Sequence, residues 1–340
     1  MDNLRRAILL FSICLCLVLA VVGFSMAVNY KDERNSKIVT LTPQKVTENP
    51  DDDPTVPGEP VDCGRGIFFL ITGEGDTPNL TFLAFLGGTG ESRFNLVFIP
   101  HDTAFAHKDE NGETITGTFA DFSDRNIDVA LDVVGEMFGM MVSDYIITDF
   151  SGIGDLADCF TKINDGIDFR LPCDIPYMKG NTLNKINKNT RYLYGSEVER
   201  LFAFSKPADG NYSRELVKYY DGDDICRVRM CAAFAKTFAM TRLVKGQDQH
   251  YAEHYATLLK EYCKGVLTNV KPEKIDTIVE KMKLVEKENV YSYIILTEKT
   301  ELTNGIGKSF MNKLIKVNYT YDNFEFETLD ESATKEVFIA

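Results

Sequence analysis

Leu80-Thr81-Phe82-Leu83-Ala84-Phe85-Leu86 is followed, after Gly87-Gly88-Thr89-Gly90-Glu91-Ser92, by Phe94-Asn95-Leu96-Val97-Phe98-Ile99. Two apolar runs joined by a short glycine-rich link predict the two strands of a hairpin. The glycines invite a phosphate-cradle reading. The Gly-Lys-Ser/Thr ending is missing, however, and an apolar strand follows where a cradle needs a helix. Working outward, Ile67–Ile71 predicts a further strand ahead of the turn Gly73-Glu74-Gly75. Downstream, Ser123 can cap a helix whose apolar positions are Ile127, Ala130, Leu131, Val134, Met137 and Phe138, the three-and-four spacing of one helical face. Tyr145–Ile147 predicts a strand, Ile153–Ile163 a helix and Ile167–Leu171 a strand. A helix is expected from near Asp223, with Cys231, Ala232, Ala235, Phe238 and Ala239 on its apolar stripe. Helices at 248–264 and 273–286 and strands at Val290–Leu296 and Leu314–Phe326 complete the pattern. Such alternation implies a layered α/β architecture.

Composition narrows the function classes. The chain has 340 residues, 44% hydrophobic and 26% charged, which excludes collagen-like, coiled-coil and wholly disordered chains. A net charge of −14 argues against a general nucleic-acid binder, because neutralising phosphates requires a basic face. Ala7–Val28 carries no charge over 22 residues. At about 1.5 Å per residue it spans roughly 33 Å, enough for a bilayer core of about 30 Å. Arg5 and Arg6 precede it, which predicts a cytoplasmic tail at 1–6, a transmembrane helix at 7–28 and an extracytoplasmic remainder. The competing reading is a cleaved signal peptide ending near Ser25-Met26-Ala27; the apolar run exceeds the usual length of such a core. Residues 29–62 hold Pro43, Pro50, Pro54, Pro57 and Pro60 around Asp51-Asp52-Asp53, and read as an extended tether. Residues 63–340 are then available for one folded domain. Its six cysteines, 63, 159, 173, 226, 231 and 263, leave open buried thiols or up to three disulfides.

Three segments carry candidate chemistry. Phe98-Ile99-Pro100-His101-Asp102-Thr103 ends a strand, where open α/β sheets place ligands; the plainer reading is a surface turn. In Asp221-Gly222-Asp223-Asp224-Ile225-Cys226-Arg227, Asp224 and Arg227 share a face of the expected helix's first turn. A helix N-terminus with an arginine and a carboxylate can hold a diphosphate and its metal; the plainer reading is capping with an i,i+3 ion pair. His250-Tyr251-Ala252-Glu253-His254 matches His-x-x-Glu-His, a zinc-protease pattern, but its surroundings read as a solvated amphipathic helix.

The order of these segments resembles the LytR-CpsA-Psr family of bacterial cell-envelope proteins. Ile99-Pro100-His101-Asp102-Thr103 is similar to its Ile-Pro-Arg-Asp-Thr motif. Asp144–Ile153, Leu156-Ala157-Asp158 and Asn164-Asp165-Gly166-Ile167 follow in the family's order, and Gly222-Asp223-Asp224-Ile225-Cys226-Arg227 resembles its Gly-Asp-x-x-Arg signature. The resemblance spans roughly residues 64–245. It implies a three-layer α/β/α sandwich around a mixed sheet, and a polyprenyl diphosphate held in an apolar tunnel. It also implies transfer of the carried glycopolymer to a peptidoglycan hydroxyl, with Mg²⁺ held by carboxylates. Carried over, Asp224 and Arg227 are the expected catalytic pair. His101, Lys206, Arg227 and Arg229 are the expected diphosphate ligands, and Asp76, Asn79 and Asp102 the expected metal set. The chain departs from the pattern. His101 replaces an arginine, Lys206 keeps charge but not the bidentate fork, and Met230 stands where a further arginine belongs. Thr77-Pro78-Asn79-Leu80 replaces Arg-Ser-Asp-Thr. The sequence therefore supports two functions: a membrane-anchored glycopolymer phosphotransferase, or a catalytically weakened relative that binds polyprenyl lipid or an envelope partner.

Overall fold

The computed structural model describes residues 66–75, 77–87, 93–108, 114–123, 126–161, 165–179, 182–205, 213–220, 224–245, 249–300, 309–320 and 323–329. The predicted tail, membrane helix and tether, Cys63, Asp76 and Lys206 lie outside these residues. Among the described residues no helix is long and apolar enough to cross a membrane.

Strands β1 (Gly66–Thr72), β2 (Leu80–Gly87) and β3 (Arg93–Ile99) precede a hairpin of β4 (Ala104–Lys108) and β5 (Thr114–Thr118). Helices α1 (Phe119–Ser123) and α2 (Ile127–Phe138) lead to β6 (Asp144–Asp149) and α3 (Phe150–Cys159). After β7 (Ile167–Asp168) come a second hairpin, β8 (Ile175–Lys179) and β9 (Thr182–Ile186), then β10 (Tyr192–Leu193), α4 (Gly195–Ala203) and α5 (Arg214–Tyr219). Helix α6 (Asp224–Phe238) runs into a π turn at Ala239–Leu243, followed by α7 (Gln249–Lys264), β11 (Leu267–Thr268) and α8 (Pro272–Met282). Strands β12 (Val290–Thr300), β13 (Ser309–Thr320) and β14 (Asn323–Thr328) close the order.

Eight strands form one mixed sheet in the order β11-β6-β1-β2-β3-β12-β13-β14. The β1–β6 and β3–β12 pairs are parallel, whereas β1–β2–β3 is an antiparallel meander. Ile71 therefore faces Leu80, and Thr81 faces Ile99. The C-terminal ends of β1, β3 and β6 and the start of β2 thus share one end of the sheet. Strand periodicity divides its residues between two faces. Leu80, Phe82, Ala84, Phe94, Leu96 and Phe98 belong to one core with α3, α4, α6, α7 and α8. Phe82 stacks between Phe69 and Phe98, with centroids 4.5 and 4.9 Å away. On the other face Phe68 meets Phe119 of α1 edge-on at 6.2 Å. The fold is accordingly α/β, with helices on both faces of a mixed sheet.

Several boundaries move for local reasons. Asn126, directly before the first apolar helical residue, caps α2 by accepting from the Asp128 amide, and Gly139 ends the helix at φ 63°. The expected cap, Ser123, instead ends α1 and donates to the Ala120 carbonyl. Helix α3 starts at Phe150 rather than Ile153, because Asp149 accepts from the Gly152 amide at 2.7 Å. The strand expected to reach Leu171 stops at Asp168, and Leu314–Phe326 divides between β13 and β14. Cys159, Cys173, Cys231 and Cys263 are free thiols, and burial pushes Cys173 and Cys231 up to about 12.

Candidate functional site

At the end of β3, the Pro100 carbonyl accepts from the Thr103 amide at 3.0 Å, and this turn lifts His101 and Asp102 off the strand. The His101 carbonyl accepts from the Ala120 amide at 2.9 Å, fastening the turn to α1. His101 Nδ1 then lies 3.1 Å from Asp224 Oδ2, at the start of α6. The other carboxylate oxygen, Asp224 Oδ1, accepts from Arg227 Nε at 2.7 Å. Arg227 is wholly buried, its side chain 0% exposed against 10% for Asp224 and 32% for His101. Its remaining donors go to backbone: Nη1 to the Phe202 carbonyl at 3.3 Å and Nη2 to the Pro78 carbonyl at 2.9 Å. Its guanidinium also sits 5.8 Å from the centre of the Phe150 ring. One His–Asp–Arg chain thus ties together the β3 turn, α6, the end of α4 and the β1–β2 loop.

The charges support one another. The hydrogen bond to Asp224 raises His101 above its ordinary value, against the opposing pull of burial. Burial alone would raise the Asp224 carboxyl, but the bonds from His101 and Arg227 outweigh it and hold the group below the usual carboxylate range. The raised histidine contributes stability in full below about pH 6.5, and loses it as pH rises through the higher folded value. The lowered carboxylate contributes above about pH 4, and loses it as pH falls through the lower folded value. The stability difference between wild type and His101→Gln should therefore be widest between about pH 4 and 6.5 and shrink above neutrality. Urea melts at several pH values check this; a difference constant from pH 5 to 8 would contradict it.

Two spaces flank this chain. A polar cleft of about 310 Å³ is lined by the β1–β2 loop (Gly73, Gly75, Thr77, Pro78, Asn79) together with Thr81, His101 and the start of α1. An apolar cavity lies between the sheet and the helical layer, in two compartments of about 90 and 100 Å³. Both compartments share Phe69, Ala84, Phe94, Leu156, Phe238 and Leu243 as walls. The first reaches Phe202 and Phe234, and the second runs on to Tyr262 and Met282. Phe202 joins the two themes: its carbonyl accepts from Arg227 while its side chain lines the cavity.

Of the residues expected at a site, His101, Asp224 and Arg227 come together. Asn79 walls the cleft, with its Oδ1 accepting from the Gly73 amide at 2.8 Å. Asp102 is exposed on the β3 turn. Arg229 does not join the group: two residues from Arg227 it leaves α6 in another direction, and its guanidinium lies 5.0 Å over the Phe326 ring of β14. Asp76 and Lys206 are outside the described residues. Both Asp224 oxygens are engaged by His101 and Arg227, Asn79 Oδ1 is engaged by Gly73, and among the described residues no group of three His, Cys, Asp or Glu could hold a metal ion. His254 lies exposed on α7, as a solvated helix face requires, and the side chain of His250 is outside the described residues. Sequence reasoning missed the Pro78 and Phe202 carbonyls, which leave no side-chain signal. An apolar space was expected only through the resemblance, and no residue pattern marked its walls.

No protein-family model matches the sequence, and no curated protein matches it. Solved structures do. The chain is similar to a LytR-Csp2A-Psr enzyme from Actinomyces oris at 11% identity, covering 74% of this chain and 86% of that one, with a TM-score of 0.47. It is similar to TagV of Bacillus subtilis at 13% identity, covering 81% and 94%, with a TM-score of 0.46. A transcriptional regulator from Enterococcus faecalis is similar at 12% identity, covering 73% and 81%, with a TM-score of 0.45. Structures of the LytR-CpsA-Psr type are thus among those that this divergent chain resembles.

Proposed function

We propose that the protein binds a polyprenyl phosphate or diphosphate, placing the isoprene units next to the head in the apolar cavity and the phosphate head near His101 and Arg227. The observation that carries this reading is the two-compartment apolar cavity, which is lined by Phe202, the residue whose carbonyl accepts from buried Arg227. An apolar chain gains about 0.8 kcal/mol per buried CH₂ in such a space, and a cationic group at its end suits an anionic head. Binding is favoured over transfer because family arginines are replaced by His101, Lys206 and Met230. The second reading is transfer of a glycopolymer from its polyprenyl diphosphate carrier to a peptidoglycan hydroxyl. It is favoured by His101 beside the polar cleft, whose hold on a proton the hydrogen bond to Asp224 strengthens. Titration with farnesyl diphosphate tests the binding reading. Saturable binding is expected, and its absence at any concentration below micelle formation would end the proposal.

The same reading places the domain outside a bacterial membrane, held by an uncleaved helix at 7–28, with 1–6 in the cytoplasm and 29–62 as tether. N-terminal sequencing of the protein from membrane fractions should find residues 1–6 still attached. A mature chain beginning near Asn29 would instead make it a secreted protein.

A further inference from the structure

The loop between β1 and β2 stands between the polar cleft and Arg227. Pro78 and Asn79 line the cleft, and their carbonyl oxygens lie 2.9 and 3.5 Å from Arg227 Nη2. On its other side the same guanidinium reaches the Phe202 carbonyl, above the apolar cavity. Arg227 therefore lies between the two spaces, walled from the cleft by Pro78 and Asn79. Within the loop the Gly73 amide donates to Asn79 Oδ1 at 2.8 Å, and the Thr77 amide to the Glu74 carbonyl at 3.0 Å. The turn is compact, since a Cβ on Gly73 would lie 1.9 Å from the Thr77 carbonyl oxygen. Gly75 adopts φ 59° with open space around it.

We propose that residues 77–79 form a strap that shields Arg227 in the empty protein and is displaced by the phosphate of an entering ligand. A neutral carbonyl is a weaker partner for a guanidinium than a phosphate oxygen, which forms shorter, charge-assisted bonds. A head group entering the cleft beside His101 takes Nη2 from Pro78 and Asn79. Cleft and apolar cavity then become one site with Arg227 at the junction. This rests on the lipid-phosphate reading above, and it explains how a fully buried arginine can serve an anion.

Two variants loosen the strap without touching Arg227. Gly75→Ala strains the left-handed turn without filling space, and Asn79→Ala removes the tie to Gly73. Phenylglyoxal modifies accessible guanidinium groups, and its rate at Arg227 can be followed by peptide mass spectrometry with no lipid present. Labelling at Arg227 should be at least fivefold faster in both variants than in wild type. Arg242, bound to Asp165 and the Gly166 carbonyl, should label at an unchanged rate and so report any general loosening. Equal Arg227 rates in all three proteins would overturn the strap, whatever the lipid result. In a second arm, farnesyl diphosphate should raise amide exchange at Gly73 and Thr77 of wild type; bound ligand with exchange lowered there would also overturn it. Faster labelling in the variants without any farnesyl diphosphate binding would sustain the strap and remove the lipid reading.

Discussion

Arg227→Ala should cost about 3–5 kcal/mol of folding stability, the usual penalty for breaking a buried ion pair from one side. Three partners are stranded at once: the nearly buried Asp224 carboxylate and the carbonyls of Phe202 and Pro78. For a domain of this size that corresponds to a fall of roughly 6–20 °C in Tm. Replacing both charges, as Asp224→Leu with Arg227→Met, should recover part of the loss, because no uncompensated charge then remains buried. Calorimetry on the three proteins decides the matter. A change below about 2 °C for Arg227→Ala would mean that the guanidinium is not the brace its bonds describe.

The second large effect concerns the cavity. Ala235 is half-buried on α6 and lines the compartment that begins at Phe202. In Ala235→Trp an indole would occupy much of a space of about 90 Å³. Excluding a single isoprene unit forfeits about 4 kcal/mol of burial, at about 0.8 kcal/mol per CH₂. The expected result is a loss of several hundredfold in affinity for farnesyl diphosphate, with circular dichroism and Tm close to wild type. Unchanged affinity with an intact fold would show that the isoprenoid chain lies elsewhere.

How much of this was legible beforehand depends on the range of the interaction. The strands around Leu80–Ile99 were readable because each buries a continuous run of Phe, Leu, Val and Ile against neighbours close in sequence. Asp224 and Arg227 were visible as an i,i+3 pair, since helical geometry alone places them together. His101 was singled out by its motif. Its bond to Asp224 spans 123 residues and was hidden, because it depends on the long-range packing that brings the start of α6 to the end of β3. The hairpin of β8 and β9 was missed for a different reason. Met178 and Leu183 face each other across it and are both exposed, so its strands show no clean alternation of buried apolar residues. Arg229 was expected among the diphosphate ligands through the resemblance, although it lies on a different helical face from Arg227. Two residues apart on a helix differ by about 200° around the axis, which is why Arg229 reaches Phe326 of β14 rather than Asp224.

The central claim, that an isoprenoid phosphate occupies the cavity beneath Arg227, is tested most directly by native mass spectrometry. The protein would be purified from bacterial membranes in mild detergent, and the bound lipid identified after release. The account predicts one equivalent of a polyprenyl phosphate or diphosphate on wild type, and its loss from Ala235→Trp. Wild type without lipid, or the same lipid retained in equal amount by both proteins, would contradict it.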